Sequence, residues 1–526
     1  SCKSEVRLMA IFGFGRINTL KKQLFDAKTR NANLKRAYAA AQNNRLTSDW
    51  VRPSTSADSE VKGSIKTVRN SARELVRNSD FAKAALRAIR NNVVGTGIKS
   101  QAQVSMKRGD RLAEGLNSRI EKEWKRWGNA KRCHVGGKLS WSEIQGLSIT
   151  SMLESGEVFI RLVKQPFGGS RVPLALEVIE ADLLDDGYNT ILNNGNQVRM
   201  GVEVNKWQRP VAYHFWDYHP GDYQFASVPK ESKKRIRISA DDIIHLYTME
   251  RPGQTRGMSA FASAIMRLRN LSGYEESEIV AARATASMMG FVKTPDQDMF
   301  EDGTYAQDSV LDFSPGSIRR LAPGEELQFF SPTRPDDSFT PFVQQMLRAV
   351  AAGVGCSYTQ VSSDFSQSNY SSSRLEILET RAHYRTLQQY LVEALCQEVY
   401  SKWLSMAVIA GVLELPGYDS DPERYEECKW IPPAAQFVDP QKEAAAYKSL
   451  IRSGVMTLSQ VIALYGGDFE EQMRQRQREI EVAKDLGIVL DSDPSQVSDQ
   501  GNMQSAPQES VSTTEQSNDT KDEDLD

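Results

Sequence analysis

The sequence predicts an α+β fold that is mainly α-helical, and three observations support this. Apolar residues recur at helical spacing over most of the chain, for instance at Phe261, Ile265 and Leu268. The spacing changes to period two at residues 157–164 and in several short runs up to residue 250, as in antiparallel strands. These strands are grouped in one stretch instead of alternating with helices, which indicates an α+β chain and not a βαβ one.

The composition is that of a globular protein. The chain has 526 residues, of which 40% are hydrophobic and 25% charged, enough for two to four domains. No apolar run approaches the ~18–20 residues of a membrane span, and no secretory signal is expected. Met9 is the expected natural start. Five scattered cysteines without a CxxC pair predict buried thiols in a reduced compartment, with neither a disulfide framework nor a zinc site.

Charge is uneven although the net charge is only −3. Residues 1–58 form a basic arm that we expect to be partly disordered; it could touch nucleic acid, or simply be a solvated helix face. Residues 491–526 carry ten acidic residues against the single Lys521 and are predicted to be a disordered acidic tail.

Residues 59–155 are predicted to be helical. One helix places Val68, Ala72, Leu75 and Val76 on one face, and Asn78 or Ser79 caps a second helix that ends at Gly95-Thr-Gly97. Another helix covers Arg111–Trp127. Ser140 and Glu143 form a capping box that begins a helix running to about Ser155.

Residues 155–250 are predicted to form a small antiparallel sheet or partial barrel. Asn194-Gly195 indicates a hairpin, since both residues accept positive φ. The predicted strands are Glu157–Lys164, Leu174–Ile179, Gln197–Val204, Val211–Phe215 and Asp242–Tyr247.

Two helices then flank a turn-rich insertion. The first is predicted over Ser259–Gly290 and the second from Pro341 to Gly353, where Thr340-Pro341 gives a cap followed by a first-turn proline. The insertion between them contains short strand candidates at Ser317–Leu321 and Leu327–Phe330.

A polar loop, Ser362–Ser373, follows the second helix. Its composition fits either a flexible connector or a mobile lining that faces a ligand or channel, and the residues alone do not decide between them. Ser373 and Glu376 predict a capping box for the longest helix, Arg374–Ala410, which at 1.5 Å per residue would be ~55 Å long. Shorter helices and a charged helix near 468–485 complete the chain.

Catalytic signatures are lacking. The sequence contains no GxxxxGK[ST] phosphate loop, which argues against ATP or GTP hydrolysis. The five histidines have no metal-binding spacing, and paired acids such as Asp185/Asp186 lie where helix or turn capping explains them. We therefore predict no active site, no metal and no cofactor.

Nine segments carry a family resemblance. They are Leu75–Asn78, Ala84–Gly97 (AALRAIRNNVVGTG), Gly156–Arg161 (GEVFIR), Met200–Phe215 (MGVEVNKWQRPVAYHF), Asp241–Tyr247, Arg251–Ala260 (RPGQTRGMSA), Ala349–Phe365, Asn369–Arg385 (NYSSSRLEILETRAHYR) and Trp430–Lys442. In this order, over roughly residues 50–490, they are similar to the portal proteins of tailed bacteriophages, in the lambda-like branch.

The resemblance implies a portal fold and a ring-shaped dodecamer. Its layout would be a wing at 59–256 (helical 59–155, β-rich 155–250), a stem helix at 257–290, an α/β clip at 291–338, a second stem helix at 339–356, a tunnel loop at 357–373, a long wing helix at 374–427 and a helical crown at 428–490. Small residues such as Ala281 and Ala284 would let neighbouring stem helices pack closely, although packing within one chain explains them equally.

The resemblance also implies sites and partners. The tunnel loop would line a DNA channel with Ser366, Gln367, Ser368, Asn369, Tyr370 and Ser371. The clip would dock the terminase large subunit with Arg319, Arg320, Glu325 and Glu326. Further implied partners are double-stranded DNA, the major capsid and scaffold proteins, and head-completion or tail adaptor proteins, with no membrane. The location would be the portal vertex of the virion, and the host cytoplasm during assembly.

Two other functions remain open at this point. The chain could be a minor capsid or scaffold component without a channel. It could also be a DNA-packaging enzyme subunit, which would need a phosphate loop or an acidic metal cluster, and neither is visible in the sequence.

Overall fold

A computed structural model describes residues 22–26, 53–105, 113–222, 234–286, 290–293, 326–329, 339–366, 370–433, 440–465, 467–488 and 490. The chain divides into two units, residues 1–60 and 61–526. In the first unit, residues 22–26 are helical and helix α1 (Ala57–Asn78) begins. The acidic tail at 491–526 and most of the basic arm lie outside the described residues.

The second unit opens with helices. After α1 come α2 (Asp80–Val93), β1 (Lys99–Ala102), α3 (Glu114–Trp127), α4 (Ala130–Cys133) and α5 (Trp141–Ser155). The Ser79 hydroxyl accepts a hydrogen bond from Ala82 N, and Ser140 forms the predicted capping box with Glu143. Both predicted caps are confirmed. A cap depends on only four neighbouring residues, and for this reason it can be predicted from the sequence.

A three-stranded antiparallel sheet follows. Its order is β3 (Ala175–Ile179), β2 (Glu157–Val163), β9 (Ile243–Tyr247). The central strand pairs Phe159 with Ile179 on one side and with His245 on the other. Strand β2 is nearly all buried, since it lies between two strands and against α5.

A second antiparallel sheet has five strands in sequence order. They are β4 (Thr190–Ile191), β5 (Gln197–Arg199), β6 (Val202–Val204), β7 (Pro210–Trp216) and β8 (Arg235–Ser239). The predicted hairpin turn is confirmed, with Gly195 at φ 82°. The single strand predicted over 197–204 is instead β5 and β6, because Met200 and Gly201 take positive φ and turn the chain. The predicted single sheet is thus two sheets.

The two predicted helices around the insertion are present with different ends. The first is α6 (Ile265–Ala286), shorter than the predicted Ser259–Gly290. Strands β10 (Gly290–Lys293) and β11 (Glu326–Phe329) pair before the second helix, α7 (Phe339–Val354). Helix α8 (Tyr358–Ser362) occupies the beginning of the predicted tunnel loop, 357–373, and ends at the first residue of the polar loop. The strand candidate at 317–321 lies outside the described residues.

The long helix begins earlier than predicted. Helix α9 (Tyr370–Leu391) continues through a π-helical segment, Val392–Gln397, into α10 (Glu398–Ile409). Ser373 therefore lies within the helix and does not cap it. The backbone leaves the helix near Gly411, as predicted, with φ 67°.

The C-terminal part is α11 (Pro422–Glu426), β12 (Cys428–Ile431), α12 (Pro440–Arg452), α13 (Leu458–Leu464) and α14 (Phe469–Asp485). Strand β12 was not predicted; it pairs antiparallel with β1, from Lys99 opposite Ile431 to Ala102 opposite Cys428. The stretch that begins the predicted helical crown is therefore a strand.

The main core joins α2, α5 and the long helix around an aromatic group. The ring of Trp124 lies 4.9 Å from Trp127, 5.0 Å from Trp403 and 5.3 Å from Tyr400. Cys133, Cys356 and Cys396 are buried free thiols, as predicted, and burial raises the pKa of Cys133 to about 12. Cys428 is free but only partly buried, and Cys2 lies outside the described residues. No helix within the described ranges is long and apolar enough to span a membrane.

Candidate functional site

The candidate functional site is the frame that holds the insertion and the polar loop. We define it as α6, the β10–β11 pair, α7, α8 and the start of α9. Four features of this frame are visible: a buried ionic cluster before α6, the packing of α6 on α7, the strand pair at the base of the insertion, and the hydrogen bonds that hold the start of the loop.

The buried ionic cluster is centred on Glu157, the first residue of β2. The Glu157 carboxylate accepts hydrogen bonds from Arg256 Nε at 2.8 Å, from Arg69 Nη2 at 2.8 Å and from the backbone N–H of Gly257 at 3.1 Å. The Glu157, Arg69 and Arg256 side chains are at most 2% exposed. Burial alone would raise the pKa of Glu157, but the Arg256 charge and the hydrogen bonds outweigh it and lower the pKa.

His245 completes this cluster. Its Nε2 lies 3.1 Å from Glu157 Oε2, and its ring stacks on Phe159 at 4.3 Å and on Tyr247 at 4.4 Å between centroids. Burial lowers the pKa of His245 more strongly than Glu157 raises it. The imidazole is therefore held neutral inside the cluster near pH 7.

Close backbone contact fixes the segment that leads into α6. A Cβ atom on Gly257 would lie 2.0 Å from the carbonyl oxygen of Gly156, so only glycine fits at this approach. Arg256 Nη1 also donates to the carbonyl of Met200 at 2.6 Å. The chain before α6 is thus attached to both β2 and the turn between β5 and β6.

A group of possible metal ligands lies beside this cluster. Glu180, Asp182 and His219 each place one ligand atom within 4.8 Å of the others. Arg73 pairs with both carboxylates, at 2.6 Å from Glu180, and Arg69 lies 3.3 Å from Asp182. Burial would raise the pKa of Asp182, but these arginines lower it. Since arginine already neutralises both acids, we assign no metal to this group.

The first half of α6 packs firmly into the core. Leu268 and Leu271 are 2% and 1% exposed, and Leu347, Val350 and Val354 of α7 are buried in the same core. Gly353 permits the close approach, because a Cβ atom there would lie 2.9 Å from the Ser263 hydroxyl. These contacts hold the two helices together at one end.

The second half of α6 has a different environment. Ile279 and Val280 are 51% and 57% exposed, although the apolar spacing that predicts the helix continues through Ile279. Tyr274 contacts Phe339 and Phe342 of α7, with ring centroids 5.6 Å and 4.9 Å apart. Beyond these aromatic contacts, Ile279 and Val280 present apolar surface to solvent beside the exposed Glu276 and Arg283, while Glu278 is buried.

The insertion is closed at its base by two strands. Strand β10 pairs with β11 in antiparallel register, with Gly290 opposite Phe329 and Lys293 opposite Glu326. Residues 294–325 lie between the paired ends. Strand β11 agrees with the prediction of a strand at 327–330. Strand β10 was not predicted: Gly290 was expected to end the helix, and residues 291–293 to begin the turn-rich insertion.

The start of the polar loop is held by local hydrogen bonds. Ser357 forms a capping box with Gln360 at the start of α8, and Ser363 takes φ 55° at its end. Asp364 then accepts from Ser366 N and from the Tyr358 hydroxyl, both at 2.9 Å. Hydrogen bonds from Ser366 lower the pKa of Asp364. Helix α8 ends at Ser362 and α9 begins at Tyr370; of the residues between them, the described ones, 363–366, are not helical.

The predicted loop residues are only partly within the described chain. Ser366 lies in the loop, and Gln367, Ser368 and Asn369 are outside the described residues. Tyr370 and Ser371 were predicted as loop residues but belong to the first turn of α9. Phe365, which was not singled out, is 69% exposed at the loop start.

Of the four predicted docking residues in the insertion, one is within the described chain. Glu326 begins β11, and Arg319, Arg320 and Glu325 lie outside the described residues. Their docking role therefore stays a prediction.

Sequence reasoning missed the buried cluster. Glu157, Arg256 and Arg69 are separated by about ninety residues or more along the chain, so no local pattern joins them. One signal was available: Glu157 begins a strand in which most residues are apolar, and a carboxylate in a buried strand requires a cationic partner.

Comparison with known families and curated proteins gives consistent matches. The model of the phage portal protein, lambda family, matches residues 43–388. A probable portal protein of Halomonas phage phiHAP-1 is 30% identical over 463 residues, which cover 86% of this chain and 88% of that protein. Portal protein B of Escherichia phage lambda is 22% identical, covering 84% of this chain and 88% of its own.

Solved structures give a weaker likeness. The neck of an empty GTA particle, computed with C6 symmetry, contains a chain with a TM-score of 0.45 and 15% identity, covering 75% of this chain and 93% of that one. A chain in the neck of the native particle, computed with C12 symmetry, has a TM-score of 0.43 with the same identity and coverage.

Proposed function

Because the chain belongs to the lambda family of phage portal proteins, we propose that twelve copies form a ring at one vertex of the phage head. The ring would be the channel through which double-stranded DNA enters during packaging and leaves during ejection. The location would be the virion, and the host cytoplasm while heads assemble.

One observation carries this proposal: the frame of α6 and α7 around the strand-closed insertion. The helices are joined at their buried end by Leu268, Leu271 and Val350, and α6 exposes Ile279 and Val280 toward its other end. A helix that is packed into its own chain at one end and exposes apolar side chains toward the other can contact neighbouring copies in a closed ring.

The insertion is the proposed docking clip. Strands β10 and β11 would transmit load from the clip into α6 and α7, because three residues join α6 to β10 and nine join β11 to α7. We propose that Arg319, Arg320, Glu325 and Glu326 contact the terminase large subunit during packaging. Head-completion or tail adaptor proteins would take its place afterwards.

The loop at 363–369 is the proposed channel lining. Asp364 and α8 fix one side and α9 begins at the other, so its middle is short and anchored at both ends. The residues from Ser366 to Asn369 carry hydroxyl or amide groups and no charge. A neutral polar lining would allow a sliding duplex to pass, whereas lysines would hold its phosphates.

In this proposal the protein is not an enzyme. Packaging requires ATP hydrolysis, which the proposed terminase partner would supply, and this chain contains no phosphate loop. Of the two alternatives, a minor capsid protein would lack the ring with a central hole, and a packaging enzyme would have intrinsic hydrolytic activity.

Ring formation is tested by native mass spectrometry and negative-stain imaging of the purified full chain. The expected result is a particle of about twelve copies with a central hole. A monomer with metal-dependent DNA cleavage would contradict the portal proposal and favour the enzyme. Assembly into closed shells without a hole would favour the minor capsid protein.

The channel role is tested separately by changing Gln367–Asn369 to Gly-Ser-Gly. The substitution keeps the loop length and leaves α9 intact, unlike a deletion through Ser371. We expect normal rings and a lower yield of fully packaged heads. The control changes Lys206–Gln208, in the exposed turn between β6 and β7, to Gly-Ser-Gly as well. Wild-type packaged genome length in the loop variant would remove the channel role.

A further inference from the structure

The hydroxyl of Tyr390, one residue before the end of α9, makes two hydrogen bonds to the main chain of one distant residue. It accepts from Tyr247 N at 2.9 Å and donates to the Tyr247 carbonyl at 2.8 Å. Tyr247 ends β9, an edge strand of the three-stranded sheet. At this residue the Tyr390 side chain therefore does what a neighbouring strand would do, and it attaches the long helix to the sheet.

Tyr247 is in turn connected to the segment that leads into α6. Its own hydroxyl donates to the Gln254 carbonyl at 3.1 Å. The Gln254 side chain is buried and closes the turn around it: its Oε1 accepts from Glu250 N at 2.9 Å, and its Nε2 donates to the Arg256 carbonyl at 2.8 Å. Arg256 is the residue that contacts Glu157 in the buried ionic cluster. Hydrogen bonds thus connect α9 to the segment before α6.

Earlier in α9, a second tyrosine attaches the same helix to α8. The Tyr384 hydroxyl donates to Gln360 Oε1 at 2.6 Å, and this oxygen also accepts from Ser357 N at 3.2 Å in the capping box of α8. The end of α7 lies against the same part of α9, because a Cβ atom on Gly355 would lie 2.6 Å from Nε2 of His383. The position of α8, which leads into the polar loop, therefore depends on the position of α9.

The two tyrosines belong to one continuous helix, and they are about 9 Å apart along its axis at 1.5 Å per residue. Helix α9 continues into α10 through the π-helical segment Val392–Gln397, and a long helix can bend at such a segment. The position of α9 relative to α10 then depends on contacts that α9 itself makes. Beside Tyr390, one such contact is Gln388, whose Nε2 donates to the Asn92 carbonyl at 2.9 Å.

We propose that Tyr390 is a positioning residue that couples α8 to the turn at 250–256 before α6. While its two hydrogen bonds are formed, α9 has one position on the sheet edge, and both segments are held. When they are lost, both segments loosen together. Hydrogen bonds joined by a rigid helix can carry such coupling, and a change at either end must then affect the other. The coupling is a property of the single chain and requires neither a ring nor a DNA channel.

Hydrogen–deuterium exchange of the full chain, followed by mass spectrometry, tests the proposal. Tyr390→Phe removes one hydroxyl and keeps the ring. A hydrogen bond contributes about 1 kcal/mol, which corresponds to about a fivefold change in an equilibrium constant. We therefore expect exchange about fivefold faster or more both at residues 250–256 and in α8.

Two control variants of the long helix distinguish this contact from general loosening. Tyr400→Phe makes the same chemical change at a hydroxyl that has no hydrogen-bond partner among the described residues. Gln388→Ala breaks the hydrogen bond from α9 to Asn92, which is close to Tyr390 along the helix but reaches a different segment. Both variants should leave exchange at 250–256 within about twofold of the wild-type rate.

Reciprocity is tested by one substitution at each end. Gln254→Ala should speed exchange in α8, and Gln360→Ala should speed it at 250–256. In the Tyr390→Phe chain neither substitution should have its distant effect, because the connection is already broken. Tyr247→Phe removes the hydroxyl that reaches Gln254 and should abolish the distant effects as well.

Three results would overturn the proposal. The first is faster exchange at Tyr247 alone in the Tyr390→Phe chain, with 250–256 and α8 unchanged. The second is an equal increase at 250–256 in the Gln388→Ala chain. The third is a distant effect of either glutamine substitution that persists without the Tyr390 hydroxyl.

Discussion

The two halves of α6 lie in opposite environments although they belong to one continuous helix. The first half follows the segment that the buried ionic cluster holds, and it buries Leu268 and Leu271, which are at most 2% exposed. In the second half, the side chains of Ile279 and Val280 are each more than 50% exposed. Similar apolar residues thus serve folding at one end and remain available for contact at the other.

This difference shows where the stability of the single chain resides. Removing a buried charge partner or a buried side chain should cost the isolated chain much free energy of unfolding. Substituting an exposed side chain in the second half of α6 should lower the free energy of unfolding of the isolated chain only slightly. Four changes test this contrast between the buried and the exposed half of α6, and their expected effects on the free energy of unfolding decrease in order.

The largest effect is expected for Arg256→Ala. It would leave the fully buried Glu157 without the arginine that contacts both of its oxygens. We expect a loss of about 3–5 kcal/mol in the free energy of unfolding, measured by urea denaturation at fixed protein concentration. Arg267→Ala, on the exposed side of the same region, should cost under about 1 kcal/mol. Equal effects would contradict the special role of the cluster.

A smaller loss is expected for Leu271→Ala. This side chain is 1% exposed, and truncation should cost about 2–4 kcal/mol through lost burial and a cavity. The matched control is Ile279→Ala two turns further along α6, which should cost less than about 1 kcal/mol. If both variants unfold at the same urea concentration, the two halves of the helix do not differ in the way described.

Acid should weaken the buried cluster through His245. Burial lowers its pKa in the folded chain, so the unfolded chain binds a proton more readily, and stability should fall as pH drops below the ordinary value of about 6.5. Glu157 acts at lower pH: its pKa is lowered on folding, so its contribution is lost as pH falls below about 4.5.

The test is His245→Gln, with unfolding measured between pH 7 and 5. The pH dependence should be flatter than in the wild-type chain, while the partly exposed His219→Gln serves as control. A variant with an unchanged slope would show that His245 does not titrate in this range.

The smallest effect on the single chain is expected for Ile279→Asp. Its free energy of unfolding should change by no more than about 0.5 kcal/mol, since the side chain is half exposed. Ring formation by native mass spectrometry should nevertheless be impaired, because a carboxylate would enter the proposed apolar contact between copies. Normal rings would place the contact between copies elsewhere.

The sequence predicted those features that depend on neighbouring residues. The caps at Ser79 and Ser140 and the turn at Gly195 are determined within four residues, and each is present. The extent of α6 was predicted less well, because apolar spacing does not tell which part of a helix the rest of the chain covers.

The features that were missed depend on distant or weakly patterned residues. Strand β1 reads KSQA and lacks the apolar alternation of a half-buried strand. Strand β8 reads RIRIS, so its alternation was visible in the sequence although it was not among the predicted strands. The Glu157 cluster joins three parts of the chain. The family resemblance gave the order of elements, but not these contacts.

The pairing of β1 with β12 has a consequence for synthesis on the ribosome. Strand β1 ends at Ala102, and its partner begins only at Cys428, more than 300 residues later. At about 5–20 residues per second, β1 waits for roughly 15–65 s with its edge unpaired. An exposed strand edge can pair with other chains, so β1 is a place where a nascent chain could associate with another before it is complete. Its polar sequence, KSQA, suits a strand that must stay soluble during this interval.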